Sequence, residues 1–171
     1  MPCIVFIPGS AFHEQNVKER IAQLSYLAQR GFVVAALEYR GCECAAFPAQ
    51  ALDAKAGVYY MKEHAKEYGI NPDNIVLMGD SSGAHTAVMA AYSYGVDELE
   101  EDGRRDTKPI VKGVIDLYGP TNFLTMNDEP SSQDHRTPDS PEGCEIGGKA
   151  VLEHPELVEP AILANYVEKG R

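Results

Sequence analysis

The sequence predicts an α/β fold, in which a parallel sheet carries helices on both faces. Three observations predict it: four short apolar runs have the length of strands, longer segments between them have helical periodicity, and the two kinds alternate. Such alternation is typical of parallel strands joined by right-handed crossovers. With 171 residues and 44% hydrophobic content, the chain can bury one core but is too short for two ordinary domains. We therefore interpret residues 1–171 as a single domain.

The first segments give two strands and the helix between them. "CIVFIPGSAF" begins with an apolar, partly β-branched run that Pro8 and Gly9 close, which predicts a buried strand followed by a loop. "NVKERIAQLSYLAQRG" predicts a helix that stops at Gly31. Its apolar positions share one face: Val17, Ile21, Leu24, Leu27 and Ala28. "FVVAALEYR" is apolar on both faces, which is typical of a parallel strand covered by helices on each side.

The middle of the chain repeats the pattern. "FPAQALDAKAGVYYMKEHAKEYG" predicts a helix with Pro48 near its start and Gly69 at its end. "IVLMG" predicts the third strand, and "SSGAHTAVMAAYSY" predicts a helix that is buried because it is poor in charge. We interpret residues 97–106 as a solvated loop.

The last third predicts one more strand and little regular structure. The fourth strand runs from about Val111 to Leu117. The stretch from Thr121 to Gly148 is rich in Pro, Ser, Asp and Gly, and is predicted to be irregular. The segment after it has a helical pattern that Pro155 and Pro160 interrupt.

The negative charge of the chain excludes polyanions as partners. The formal net charge is −11 and the sequence pI is about 4.8, so the chain repels nucleic acid and anionic membranes. No stretch approaches the roughly 18 apolar residues of a membrane span. The apolar run at the N-terminus lacks a preceding basic region, so we interpret it as a strand rather than a signal peptide. These features predict a cytoplasmic protein that binds neither nucleic acid nor membrane.

The cysteines do not predict a disulfide framework. Cys42 and Cys44 are separated by one residue, a poor spacing for zinc or for a thioredoxin-type motif. We therefore expect Cys3, Cys42, Cys44 and Cys144 to be free thiols in a reducing compartment, and we expect no metal and no cofactor.

"VLMGDSSGAH" contains the most informative motif. It matches G-x-S-x-G in one register, with Gly79 and Gly83 on either side of Ser81. A serine on a sharp turn between strand and helix needs strained backbone angles, and larger side chains two residues away on either side would collide. The helix that follows directs its N-terminal amides to the same place, where negative charge would develop. The motif therefore predicts that Ser81 is a nucleophile.

Other interpretations of this motif are weaker. A tight turn with a capping serine remains the plain structural alternative. The phosphate-binding patterns G-x-x-x-x-G-K-[ST] and G-x-G-x-x-G are absent. "GDSSG" also resembles the serine stretch of chymotrypsin-like proteases, but those are disulfide-rich all-β proteins, and the predicted helices on either side argue against them.

Longer segments resemble α/β-hydrolase-fold esterases in order and spacing. They are "IVFIPGSAF", "GFVVAALEYR", "FPAQALDAKAGVYYMKEHAKEYGINPDNIVLMGDSSGAHTA", "GVIDLYGPTN" and "SPEGCEIGGKAVLEHPEL". The most similar branch is the acetyl-esterase/lipase and feruloyl-esterase-like group related to the hormone-sensitive lipases, and the resemblance covers nearly the whole chain. It implies a serine carboxylesterase for small acyl esters, such as acetyl or feruloyl groups on polysaccharides.

The resemblance also assigns residues. Ser81 matches the family nucleophile, and the backbone N–H of Ser82 matches one donor of the oxyanion hole. Ser10 and Ala11 match the other donors, in the loop where the family has a His-Gly-Gly-type sequence. This chain departs from the family there, because Pro8 replaces the histidine and Ser10 and Ala11 replace glycines. Ala84 also replaces a usual glycine.

The family places its catalytic acid after the seventh strand and its histidine after the eighth. This chain matches the pattern from the third strand onward and ends as the seventh would approach, so the first and last strands of the family pattern are lacking. The resemblance therefore implies that the catalytic Asp and His lie beyond Arg171. Without a histidine, Ser81 is a weak nucleophile.

The histidines of the chain are weak substitutes. His85 lies one helical turn beyond Ser81 and below the active face, and His64 lies on a charged helix face. His13 adjoins the oxyanion loop. His135 and His154 follow Ser81 in chain order. Their conceivable acid partners are Asp116, Asp128, Asp134 and Asp139.

Nearby polar residues have structural interpretations. Asp80 faces away from the nucleophile in the family geometry. Asp53 is expected to brace the sheet through a hydrogen bond. Tyr39 and Arg40, which close the second strand, are interpreted as packing and salt-bridge residues.

Two alternative functions remain open. The chain could be a non-catalytic partial hydrolase that binds an acyl ligand or a partner, or a peptidase of the prolyl-oligopeptidase type, which shares the elbow. Open sheet edges would favour pairing with another chain, which makes a homo-oligomer a further expectation.

Overall fold

The computed structural model describes residues 1–100, 103–104 and 106–167. Four strands form one parallel sheet in the order β2-β1-β3-β4. They are β1 (Cys3–Ile7), β2 (Val33–Ala36), β3 (Ile75–Asp80) and β4 (Gly113–Leu117). This confirms the predicted α/β class and all four strands. The fourth strand begins at Gly113 rather than Val111, because the preceding residues form a bend.

Six α-helical segments accompany the sheet among the described residues. They are α1 (Ile21–Ala28), α2 (Ala49–Glu63), α3 (Ala65–Tyr68), α4 (Ser82–Tyr92), α5 (Pro141–Glu145) and α6 (Pro155–Val158). Single 3₁₀ turns span Val17–Arg20, Asp97–Leu99, Glu159–Ala161 and Leu163–Tyr166. The predicted stop at Gly69 is confirmed, since that glycine ends α3 with a φ of 64°. The prediction of one unbroken helix before it is wrong, because the helix is interrupted at His64, which separates α2 from α3. The tail is also interrupted as predicted, with Pro155 and Pro160 each near the start of a short turn.

The core lies at the centre of the sheet. Every residue of β1 is buried, and in α4 only Tyr92 is not. Alternate side chains of β1 and β3 pack with α2 and α4, for example Val5 and Leu77 with Val58 and Ala87. This confirms that α4 is a buried helix and fixes its N-terminus against the end of β3. No helix in the described part of the chain is both long and apolar enough to cross a membrane.

Burial at the β2 edge is lower than predicted. Within α1 only Leu24 is buried, and Ile21 is 57% exposed. β2 itself is half-buried at three positions and exposed at Ala36, so the expectation of full cover on both faces is wrong. The physical reason is that β2 lies at an edge of the sheet. Among the described residues, no further strand lies beside β2 there to help α1 cover it.

The interpretation of residues 97–106 as a solvated loop is wrong for two residues. Leu99 is 2% exposed and Glu100 is 8% exposed. Lys55 on α2 is fully buried, and its Nζ lies 3.2 Å from Glu100 Oε1 and donates to Ser93 O at 3.3 Å. A buried ammonium needs such acceptors, which draws the loop inward. Glu101, Asp102 and Arg105 lie outside the described residues.

The expectation of four free thiols is also wrong. Cys42 and Cys144 form a disulfide with their Cα atoms 5.6 Å apart, whereas Cys3 and Cys44 are free. The paired cysteines are 102 residues apart in the sequence. They meet because the loop after β2 packs against α5, so local spacing could not reveal the pair.

Candidate active site

Ser81 occupies the turn between β3 and α4. Its φ is 52° and its ψ is −128°, a backbone conformation that a residue with a side chain rarely adopts. Its N–H donates to Leu117 O at 3.0 Å, which fixes the turn to the end of β4. The predicted position and backbone strain of Ser81 are confirmed.

The glycines around Ser81 are required by packing. A Cβ at Gly79 would lie 2.3 Å from Gly83 O, and a Cβ at Gly83 would lie 2.2 Å from Ile7 O. Sequence reasoning missed Gly9, where a Cβ would lie 2.7 Å from the Cβ of Ser81. Its sequence signal is its place two residues after the end of β1.

Asp80 faces away from the Ser81 hydroxyl, as expected. Its Oδ1 accepts the Gly9 N–H at 2.8 Å, and its Oδ2 accepts from Arg20 Nη2 at 2.7 Å. The buried carboxylate therefore ties the loop after β1 to the elbow. Tyr118 also donates to Oδ2, at 3.4 Å.

The loop from Ser10 to Phe12 lies against the start of α4. The Ser10 N–H donates to Ser82 Oγ at 2.9 Å, and Tyr39 Oη lies 3.0 Å from the Oγ of both serines. Ala11 and Phe12 have φ values of 55° and 66°, so this loop has the left-handed backbone that glycine normally supplies. Burial raises the pKa of Tyr39 to about 12, which keeps its phenol neutral.

Two amides beside Ser81 are not engaged by other groups. Within the described residues, the Ala11 N–H makes no hydrogen bond. Ser82 is the first residue of α4, so its N–H has no acceptor inside the helix. The Ser10 N–H, in contrast, would have to leave Ser82 Oγ to act as a donor. The sequence predicted a packing role for Tyr39, and its hydroxyl in fact links the loop at Ser10 to the start of α4 at Ser82.

A cavity of about 240 Å³ opens above Ser81. Its wall combines the elbow, the loop after β1 and the irregular segment. The lining residues are Ala11, Phe12, Ser81, Ser82, Tyr118, Gly119, Pro120, Met126, Gln133, His135, Pro141 and Glu142.

Four of the five histidines do not line this cavity. His85 is buried and bonds Ala161 O through Nε2 at 2.8 Å. Burial lowers its pKa to about 4, so it stays neutral near pH 7. His13 and His154 pair with glutamates, at 3.2 Å and 3.1 Å, and His64 stacks on a tyrosine ring. His85 and His64 are structural, as expected.

His135 is the histidine that borders the cavity with Ser81. Its Nδ1 lies 2.8 Å from Glu142 Oε2, and its Nε2 lies 3.2 Å from Ser131 Oγ. Burial raises the pKa of Glu142, and His135 opposes that rise. The acid beside His135 is thus a glutamate, although sequence reasoning considered aspartates. Among the described residues, Ser81 Oγ has no hydrogen-bond partner. The histidine and the serine therefore line the same cavity, but no hydrogen bond joins them.

The chain matches the family model described as BD-FAE over residues 1–171. The probable carboxylic ester hydrolase LipM of Mycobacterium tuberculosis is 30% identical over 128 residues, which cover 74% of this chain and 30% of LipM. The probable isoprenylcysteine alpha-carbonyl methylesterase ICMEL1 of Arabidopsis thaliana is 32% identical over 131 residues, covering 74% of this chain and 27% of ICMEL1.

Two solved structures superpose on nearly the whole of this chain. A truncated form of a carbohydrate esterase from gut microbiota superposes with a TM-score of 0.85 at 28% identity, covering 99% of this chain and 63% of that one. The bifunctional GH43-CE protein of Bacteroides eggerthii superposes with a TM-score of 0.84 at 26% identity, covering 99% of this chain and 25% of that one. The chain spans between 28% and 39% of the length of LipM and two further esterases of the same organism, LipQ and LipC. By its sequence and its four-stranded parallel sheet, the chain belongs to the BD-FAE family, and its described residues form part of an α/β-hydrolase fold.

Proposed function

We propose that this chain carries the nucleophile and the oxyanion hole of a serine carboxylesterase for small acyl esters. The observation that carries the proposal is the strained turn at Ser81, held beside two unengaged amides at the mouth of a cavity. Relatives named as esterases support the same class of reaction.

The first chemical step is attack of Ser81 Oγ on the ester carbonyl carbon. Negative charge then develops on the carbonyl oxygen, where the N–H groups of Ala11 and Ser82 donate hydrogen bonds. The N-terminus of α4 adds positive potential at the same point. The alcohol leaves, an acyl-serine remains, and water hydrolyses it.

The proton of Ser81 needs an acceptor. In α/β-hydrolases the catalytic acid and then the histidine follow the nucleophile in chain order. Among the described residues, His135 with Glu142 is the pair positioned to act in their place. Its Nε2 is directed at Ser131 rather than Ser81, so we propose that the 171-residue chain alone turns over slowly.

The cavity favours a small acyl group. Its volume of about 240 Å³ is below the roughly 300 Å³ at which pockets for drug-sized ligands begin. An acetyl group fits this space better than a feruloyl group. The carbohydrate esterase among the structural relatives makes an acetylated polysaccharide the natural substrate to propose.

Hydrolysis of p-nitrophenyl acetate and p-nitrophenyl ferulate tests this function. We expect weak hydrolysis of the acetate, because Ser81 attacks the ester without a contacting base among the described residues to take its proton. The ferulate should react more slowly. Ser81→Ala should remove the acetate activity, and Ser25→Ala, at an exposed helix position, should preserve it. Equal activity in Ser81→Ala would refute the proposal.

A non-catalytic binding role is the second candidate. The observation that favours it is the lack of a hydrogen bond to Ser81 Oγ among the described residues. It predicts that an acylated sugar binds without turnover and binds Ser81→Ala equally well, which calorimetry measures.

The predicted cytoplasmic location is a further proposal that cell fractionation would test.

A further inference from the structure

Four side chains with metal-binding atoms converge beside the loop that follows β1. They are His13, Cys42, Glu43 and Cys144, and one ligand atom of each lies within 4.8 Å of all the others. Three separate stretches of chain supply them, so the cluster is a product of the fold.

The distances within the cluster suit a tetrahedral zinc ion. His13 Nδ1 lies 3.5 Å from Cys42 Sγ and 3.2 Å from Glu43 Oε2, and Cys42 Sγ lies 3.8 Å from Glu43 Oε2. Ideal bonds to tetrahedral Zn²⁺ separate sulfur from nitrogen by about 3.5 Å, nitrogen from oxygen by about 3.4 Å, and sulfur from oxygen by about 3.6 Å. Three ligands are therefore already spaced for one ion.

The exposure of the cluster and the chemical types of its ligand atoms also suit zinc. The side chains of His13 and Glu43 are 49% and 45% exposed, so an ion can enter from solvent. Two thiolates, one imidazole and one carboxylate form a donor set typical of zinc.

We propose that Zn²⁺ and the Cys42–Cys144 disulfide are alternative occupants of this cluster. A dithiol reductant opens the disulfide and is itself oxidised to a disulfide, while two electrons and two protons pass to the cysteines. Zinc then binds the two thiolates and displaces both protons. The two sulfurs must separate to about 3.8 Å in a tetrahedral site, and rotation of the two side chains can provide this, because their Cα atoms are 5.6 Å apart.

The cluster is joined to the loop before the elbow. The Cys42 N–H donates to Phe12 O at 2.8 Å, the His13 N–H donates to Ser10 O at 3.1 Å, and the Glu14 N–H donates to Glu43 Oε1 at 3.0 Å. Either occupant therefore holds the loop that carries the Ala11 amide. The binding of zinc itself does not depend on the proposed esterase function.

Cobalt titration of the oxidised and reduced chain tests this proposal. Co²⁺ replaces Zn²⁺ at such sites and gives a thiolate charge-transfer band when sulfur is a ligand. We expect one Co²⁺ per phosphine-reduced chain, with that band, and no band in the oxidised chain. Added Zn²⁺ should displace the cobalt. Zn²⁺ should also raise the Tm of the reduced chain and leave the Tm of the oxidised chain unchanged.

Variants identify the ligands. Cys144→Ser and His13→Ala should weaken binding of Co²⁺ to the reduced chain by at least about tenfold. Cys44→Ser is the matched control, since Cys44 is a free, exposed thiol near the cluster in sequence, and it should bind as the parent does. Equal affinity in Cys144→Ser, a missing thiolate band, or loss of the far-UV circular dichroism signal on reduction with Zn²⁺ present would each overturn the proposal.

Discussion

Glu145 on α5 is a fully buried acid, and neither of its carboxylate oxygens has a hydrogen-bond partner among the described residues. Burial raises its pKa well above the usual value, and the neighbouring Glu142 adds to the rise. The folded state therefore holds this proton at a pH where the unfolded chain has released it.

The sign of this linkage gives a prediction. Above the pKa of an unfolded glutamate, about 4.3, the folded state binds more protons, so the free energy of unfolding falls as pH rises. Glu145→Gln removes the ionisation and should stabilise the protein more at pH 8 than at pH 5. Urea denaturation at both pH values measures the difference. The exposed Glu153→Gln is the control, and an equal effect of Glu145→Gln at both pH values would contradict the account.

At the residue scale, the sequence predicted the residues that the local backbone geometry of one turn requires. It did not predict the residues that the tertiary fold brings into contact. Ser81, Gly79 and Gly83 lie within five residues, and their motif reflects one strained turn. Tyr39 becomes important because the loop after β2 meets the start of α4 at Ser82, 43 residues away in the sequence. Glu142 pairs with His135 only seven residues before it, but this stretch has no helical or strand periodicity that would predict the contact.

The elbow between β3 and α4 depends on close backbone packing. At Gly83 an added Cβ would meet Ile7 O at 2.2 Å and the backbone of Pro8 at 2.7 Å. Backbone cannot move aside as a flexible side chain can, so Gly83→Ala must displace α4 from the sheet.

We expect Gly83→Ala to lower the free energy of unfolding by about 3 kcal/mol or more. Gly113→Ala is the matched control, because a Cβ at this strand glycine would meet nothing within 4 Å. It should leave stability within about 1 kcal/mol of the parent. Chemical denaturation compares the two. A Gly83→Ala variant as stable as Gly113→Ala would show that the elbow tolerates a side chain.

At the element scale, the periodicity of the sequence predicted each strand and main helix but not how deeply each is buried. The helix face that includes Ile21 is apolar, yet α1 lies at an edge and leaves that residue exposed. Leu99 and Glu100 stand in a charged stretch, yet Lys55 draws them into the core. Burial depends on what an element meets in space, and hydrophobic pattern does not report this.

The whole molecule presents two edge strands. β2 and β4 each pair with one strand among the described residues, and Ile115 on β4 is 43% exposed. Unpaired strand edges favour association with another chain. We therefore propose a homo-oligomer that forms through these edges.

Light scattering over a range of protein concentrations tests this association. We expect the average mass to rise with concentration. Ile115→Lys should reduce the rise, because lysine on an edge strand opposes pairing. Ile21→Lys, which changes an exposed isoleucine on α1, should have little effect. A constant monomer mass for the parent chain at all concentrations would contradict the proposal.

Covalent labelling tests the proposed role of Ser81 as the nucleophile. The folded chain is incubated with a fluorophosphonate, and the labelled peptide is identified by mass spectrometry after digestion. We expect slow modification at Ser81, because no base contacts its hydroxyl among the described residues. The label should be absent in Ser81→Ala and retained in Ser25→Ala. Modification of another residue, or no modification of Ser81 in a chain that remains folded, would show that Ser81 is not the nucleophile.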